Sequence, residues 1–289
     1  MPGKDGVARL VDEDDDGADG EDVMRIRLRV LAFVMLASIV GLCVAQPTRA
    51  ESTLDKILKE KKIRIAIDVG NPPFGILDKD GQPDGSDVAV ARQMAKDMGV
   101  ELEFVQVPST GRIPALLAGR ADVTIASISV TSDRAKAVMY CNPNGALSIV
   151  IFGPKSVAIK APADLVGKRI GITRATLEEA TVPKMAPQGT NIVWFDEIGA
   201  TIQALLSGQV DAVAMTSFAG KAVADGNPDK GIETKLNVTT AFYAPIVRHD
   251  DFELRQWINT WLFLNSQNGT LAAIYKKYTG LDLPALPVF

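Results

Sequence analysis

Ala115-Leu116-Leu117-Ala118-Gly119-Arg120-Ala121-Asp122-Val123 returns 89 residues later as Ala204-Leu205-Leu206-Ser207-Gly208-Gln209-Val210-Asp211-Ala212. Each copy reads as the end of a helix, a glycine in the left-handed position that closes it, a turn holding an aspartate, and an apolar strand. The match extends upstream, where Arg64-Ile65-Ala66-Ile67-Asp68 is echoed by Arg169-Ile170-Gly171-Ile172-Thr173. Each of these opens a strand–helix–strand–helix–strand run. Two α/β units of the same order in one chain predict two lobes facing each other across a cleft, an arrangement suited to enclosing a small molecule.

Around the first copy, the patterning predicts helices over 52–61, 85–98, 113–118 and 132–139, and strands over 63–67, 101–107 and 123–128. Asp78-Lys79-Asp80-Gly81 marks a hairpin turn. A strand over 147–152 leads into the second unit, with strands from 168, over 192–195 and over 210–214, and helices from 176 and over 200–206. Residues 234–247 bring the chain back, and 252–278 read as one long amphipathic helical stretch. One lobe is therefore expected to hold 53–146 and 244–289, and the other 147–243. Continuous apolar strands point to an α/β fold of mostly parallel sheets flanked by helices. Two passages between lobes make two hinge strands, which favour a rigid-body closing motion.

The first fifty residues stand apart. Residues 1–23 are polar and acidic, with Asp12-Glu13-Asp14-Asp15-Asp16 and no apolar periodicity, and are expected to be a disordered leader. Residues 24–50 carry Arg25, Arg27 and Arg29, then a continuous apolar or small stretch over 30–45, then Thr48-Arg49-Ala50. That order is a cleaved secretory signal, and the apolar stretch is short for a bilayer span. Signals begin chains, so Met24 is read as the true start. Leu42 is too large to precede a lipidated cysteine, which argues against Cys43 as an anchor.

Beyond residue 50 there are 25 basic and 26 acidic side chains, so no basic surplus is available to hold nucleic acid. Only Cys141 remains there, and no intramolecular disulfide is possible. One histidine and one cysteine cannot make an ordinary zinc site or a Ser-His-Asp triad. The phosphate-loop pattern G-x-x-x-x-G-K-[ST] is absent. No cofactor is expected.

In open α/β sheets ligands lie beyond the carboxyl ends of the strands. That rule names Asp68 with Asn71, Ser127 with Ser129, the segment 173–176 with Thr176, and Met215-Thr216-Ser217. The offset of 89 sets Ser127 and Thr216 at equivalent points on opposite walls. The sharpest signal is Ser127-Ile128-Ser129-Val130-Thr131-Ser132-Asp133-Arg134. Thr131 reads as a helix N-cap, with Arg134 one turn inside a helix that borders the cleft. A guanidinium there either grips a carboxylate by paired charge-assisted hydrogen bonds or is a solvated helix arginine. Asp68 either caps the Gly70-Asn71 turn or meets a ligand cation. Thr176 either caps its helix or lends an anion-friendly terminus to the cleft. Arg112, just ahead of a helix, is either cleft or surface.

Together these residues resemble the amino-acid-type, family 3 extracellular solute-binding proteins of ABC importers, which have the type II periplasmic binding fold. The resemblance covers about residues 53–281. It rests on Asp68-Val69-Gly70-Asn71-Pro72-Pro73-Phe74-Gly75, Gly85-Ser86-Asp87-Val88, Arg112-Ile113-Pro114-Ala115-Leu116 and, above all, Ser129-Val130-Thr131-Ser132-Asp133-Arg134. Gly167-Lys168-Arg169-Ile170-Gly171-Ile172 and Gly208-Gln209-Val210-Asp211-Ala212 carry it in the second lobe. The resemblance implies that the arginine matching Arg134 clamps a ligand carboxylate, assisted by Ser129 and the helix start at Thr176, with Asp68 at the ligand's amino or side-chain end. It also implies a periplasmic, monomeric receptor that passes an amino acid or related small carboxylate to the transmembrane permease subunits of an importer.

Three departures stand out. Asn71 and Ser109 replace aromatic residues that sandwich the ligand in many relatives, Thr216 (or Ser217, one position on) replaces a frequent aspartate for the α-ammonium, and Ala175 replaces a glycine. The enzyme alternative on the same fold is a periplasmic cyclohexadienyl (prephenate or arogenate) dehydratase, with Glu178 or Glu179 supplying the acid.

Overall fold

The computed structural model describes residues 51–288 and six positions between Met24 and Leu31. The expected leader and the body of the expected signal segment fall outside the described residues.

Helix α1 (Thr53–Glu60) begins with a capping box, in which Ser52 Oγ accepts from Asp55 N and the Asp55 carboxylate accepts from Ser52 N. Strand β1 (Lys62–Ile67) follows, with Ile63, Ile65 and Ile67 wholly buried. Each such side chain stabilises the fold by roughly 1.5–3 kcal/mol. The hairpin β2 (Ile76–Leu77) and β3 (Pro83–Asp84) turns where Asp78 N donates to Gln82 O. Then come α2 (Ser86–Met98), β4 (Glu101–Gln106), α3 (Arg112–Leu117) and β5 (Val123–Thr124). Strands β6 (Met139–Tyr140) and β7 (Gly145–Pro154) lead into the second unit. That unit contains β8 (Arg169–Thr173), α4 (Leu177–Met185), β9 (Asn191–Phe195), α5 (Ile198–Leu206), β10 (Ala212–Thr216), α6 (Ser217–Gly226) and β11 (Ile232–Tyr243). After β12 (Ile246–Val247), helices α7 (Phe252–Gln267) and α8 (Thr270–Thr279) divide the stretch read as one helix. Gly269, at φ 83°, makes the break.

The strands form two five-stranded sheets, ordered β4-β1-β5-β12-β6 and β11-β7-β10-β8-β9. Strands of the repeated units pair in parallel, β1 with β4 and β5, and β8 with β9 and β10. The strands that carry the chain between the halves add antiparallel pairs, β7 with β10 and β11, and β12 with β5 and β6. An extended passage needs no crossover helix, which is why these edges run antiparallel. The fold is the two-lobed type II periplasmic binding architecture.

The sequence repeat has a physical counterpart. Asp122, just before β5, accepts from Arg64 N (2.9 Å) and Arg64 Nε (3.2 Å), while Gly119 O accepts from Arg64 Nη1 (2.9 Å). Asp211, just before β10, accepts from Arg169 N (2.8 Å) and Nε (3.3 Å), while Gly208 O accepts from Arg169 Nη2 (3.1 Å). Gly119 and Gly208 take the left-handed φ that the helix ends require, 68° and 77°.

Two expectations are corrected. The strand read over 123–128 pairs only at Val123 and Thr124, and the chain then leaves the sheet, still buried, with Ser127 at φ 47°. The helix read over 132–139 is a single 3-10 turn, Arg134–Lys136. Val130 N is tied to Phe242 O, and Met139 and Tyr140 pair with Val247 and Ile246. The segment between these two anchors closes as a short turn, with Ala137 N donating to Arg134 O.

Candidate functional site

The loops that follow β1, β5, β8 and β10 meet around a narrow cavity with about 20 Å³ of free interior space. Seven of the eight residues named from sequence line it: Asn71, Arg112, Ser127, Ser129, Arg134, Thr176 and Thr216. Asp68 does not. It faces a neighbouring crevice beside Gln106, Ser109 and Ile198. Its Oδ1 accepts from Gly70 N (3.0 Å) and its Oδ2 from Ser109 Oγ (2.7 Å), so it has the turn-capping role.

Both arginines reach across from the first sheet to the second unit. Arg112 is buried, not on the surface, and donates from Nε to Ser109 O (3.0 Å), from Nη1 to Ala126 O (3.1 Å) and from Nη2 to Ala175 O (2.7 Å). Arg134 donates from Nη1 to Ser129 O (3.1 Å) and from Nη2 to the same Ala175 O (2.8 Å). The expected cap is present, since Arg134 N donates to Thr131 Oγ1 (3.3 Å), although it opens a 3-10 turn rather than a helix. Ala175 itself sits at φ 58°, a left-handed conformation rare for a residue with a Cβ. Its N–H donates to Glu179 Oε2 (2.7 Å), and its carbonyl is thereby held toward the two guanidiniums.

The hydroxyls are arranged by the loops. Asn71 Nδ2 donates to Ser127 Oγ (2.9 Å), and Asn71 Oδ1 is buried without a hydrogen-bond partner. Thr176 precedes α4 as expected, but its hydroxyl donates to Thr173 O (2.6 Å) and caps no helix N–H. Thr216 does cap α6, accepting from Ala219 N (3.2 Å). Leu147, Ile149, Leu177, Ile198 and Met215 supply an apolar wall, and no aromatic side chain among the described residues lines the cavity. Of this wall, sequence reading named only Met215, at a strand end.

Three ionisable groups feel this environment. Burial lowers the Arg112 guanidinium to about 10, opposed by the nearby charges of Asp68, Glu178 and Asp87, and it stays cationic at neutral pH. Glu178, in the first turn of α4, lines the cavity with its carboxyl raised, chiefly by burial, against the pull of its own N–H, Thr176 and both arginines. Asp87, in the first turn of α2, is pushed up to about 8 by burial. Neither of its oxygens completes a hydrogen bond of normal geometry, so the Ser127 N–H and Arg112 only partly offset that effect.

The sequence profile of bacterial extracellular solute-binding proteins, family 3, matches residues 63–281. A probable histidine-binding protein of Neisseria gonorrhoeae is 28% identical over 222 residues, covering 75% of this chain and 83% of the relative. Among solved structures, an ancestral arginine-binding protein bound to arginine is 32% identical with a TM-score of 0.72, over 75% of this chain and 98% of that one. A second, also at TM-score 0.72 and 29% identical over 79% of this chain and all of that one, is described as the ancestral amino acid-binding protein AncCDT-1, a precursor of cyclohexadienyl dehydratase. That trace of the dehydratase alternative is thus itself a binding protein by its description. The profile spans both sheets and every loop that lines the cavity, and this chain belongs to the bacterial extracellular solute-binding proteins, family 3.

Proposed function

We propose that this chain captures an amino acid or related small carboxylate between its lobes and delivers it to the transmembrane permease subunits of an ABC importer. One observation carries the reading: two guanidiniums from the first unit converge on an oxygen of the second, at a cavity that both units line. A carboxylate oxygen entering there meets the same donors, and paired charge-assisted bonds are the strong ones. The hydroxyls of Ser127, Ser129 and Thr176 border the same space. In this reading residues 53–146 with 244–289 form one rigid half and 147–243 the other. Ligand shifts an open–closed equilibrium by its differential affinity for the closed form. The same reading has 24–50 removed on export to the periplasm, and a monomer as the working form.

Thermal-shift screening of the purified protein against amino acids and small carboxylates tests it. A true ligand raises the melting temperature by mass action, by about 2.7 kcal/mol of stabilisation at a hundred times its Kd. No shift with any of them, together with release of phenylpyruvate from prephenate, would replace the receptor reading with the dehydratase one.

A further inference from the structure

Among the described residues, the charged side chains lining the cavity are two guanidiniums, Arg112 and Arg134, and one carboxyl, Glu178. Neither arginine makes an ion pair among the described residues. Their hydrogen bonds end on the main-chain oxygens of Ser109, Ala126, Ser129 and Ala175. Asp68 is near enough for its charge to bear on Arg112, yet its two oxygens are held by Gly70 N and Ser109 Oγ, and it faces the other crevice. A buried cation without a paired anion is costly unless something completes it. The complement of two cations and one carboxyl is two carboxylates and one ammonium.

We infer that the cavity takes an acidic amino acid, its two carboxylates against Arg112 and Arg134 and its ammonium against Glu178. The assignment rests on the receptor reading above and narrows it. Glu178 is buried, burial raises its carboxyl, and an incoming ammonium would favour its charged form. Hydroxyls of Ser127, Ser129 and Thr216 stand by for the remaining carboxylate oxygens, and Ile149 and Met215 flank the methylenes. The arginine and histidine named in the relatives' descriptions are disfavoured. A second ligand cation would enter a space that already holds two, with no aromatic face to receive it.

Calorimetry on the purified protein with L-glutamate, L-aspartate, glutarate, L-glutamine, L-arginine and L-histidine tests the assignment. The expected result is that one of the two acidic amino acids binds at least about tenfold tighter than every other class, the gain of one charge-assisted contact. Glu178→Gln should weaken that amino acid by about tenfold to a hundredfold and leave glutarate unchanged or tighter. Tighter binding of glutamine, arginine or histidine by the parent overturns the inference and leaves the receptor reading standing. Equal affinity of the parent for glutamate and glutarate overturns the role given to Glu178. Binding of none overturns the inference and counts against the receptor reading too.

Discussion

Truncating the two arginines should cost unequal stability, because their hydrogen-bond partners differ in what else reaches them. Arg134 donates to Ser129 O, which also accepts from Tyr140 Oη (2.8 Å), and to Ala175 O, which also accepts from Arg112. Arg134→Ala therefore strips no carbonyl of its last donor, and should lower stability by about 1 kcal/mol, the net worth of a replaced hydrogen bond. Arg112 is different. Ala126 is buried and its carbonyl meets Arg112 Nη1 alone among the hydrogen bonds of the described residues. Leaving a buried acceptor unpaired costs about 1–3 kcal/mol, and losing the buried Arg112 stem adds to it, so Arg112→Ala should fall by about 2–4 kcal/mol. At roughly 2–4 °C per kcal/mol for a chain of this size, ligand-free melting should drop a few degrees for the first variant and about 5–15 °C for the second. Calorimetry with whichever amino acid stabilises the parent should show the reverse emphasis for Arg134→Ala, a loss of at least about a hundredfold from two charge-assisted bonds. Equal melting losses in the two variants, or an Arg134→Ala affinity within threefold of the parent, would refute the reasoning.

Other outcomes follow from single contacts. Asp87 holds its proton to about pH 8 when folded and releases it near pH 4 when unfolded, so between those values the folded state binds the extra proton and stability falls as pH rises. Urea denaturation at pH 5 and pH 8 should show the parent losing about 3–4 kcal/mol relative to Asp87→Asn, and parallel curves would contradict the burial of that carboxyl. A Cβ on Gly220 would lie 1.8 Å from Phe152 Cε2, so Gly220→Ala should cost roughly 1–3 kcal/mol by overpacking, read by thermal melting. The repeated Arg–Asp contacts differ in exposure, Asp122 at 6% and Asp211 at 28% of the side chain. Asp122→Ala should therefore destabilise by about 2–3 kcal/mol and Asp211→Ala by about 1, and equal losses would show that burial is not what separates them.

Much of the architecture was legible because the repeat couples composition to geometry. The Arg-Ile-x-Ile strands, the closing glycines and the aspartates at 122 and 211 all have local physical causes, and they fell where the pattern put them. Strand-end logic placed five of the named residues at one cavity, and the readings of Arg112 and Arg134 added the other two. It left Asp68 open between two roles, because whether a strand-end carboxylate turns toward a ligand or its own loop depends on Ser109, 41 residues away. The helix over 132–139 was lost to long-range pairing with Ile246 and Val247, which no local propensity reports. The inward turn of Glu178 depends on how α4 is set against β8, and first-turn acids are ordinary helix chemistry in sequence.

The carbonyl of Ala175 has a kinetic consequence. Any guest that needs the place of this oxygen must wait until the bonds from Arg112 and Arg134 have parted, and that parting proceeds at its own rate whatever the solute concentration. Capture should therefore quicken with added solute only up to a plateau, the ceiling being set by how often the two halves come apart unaided.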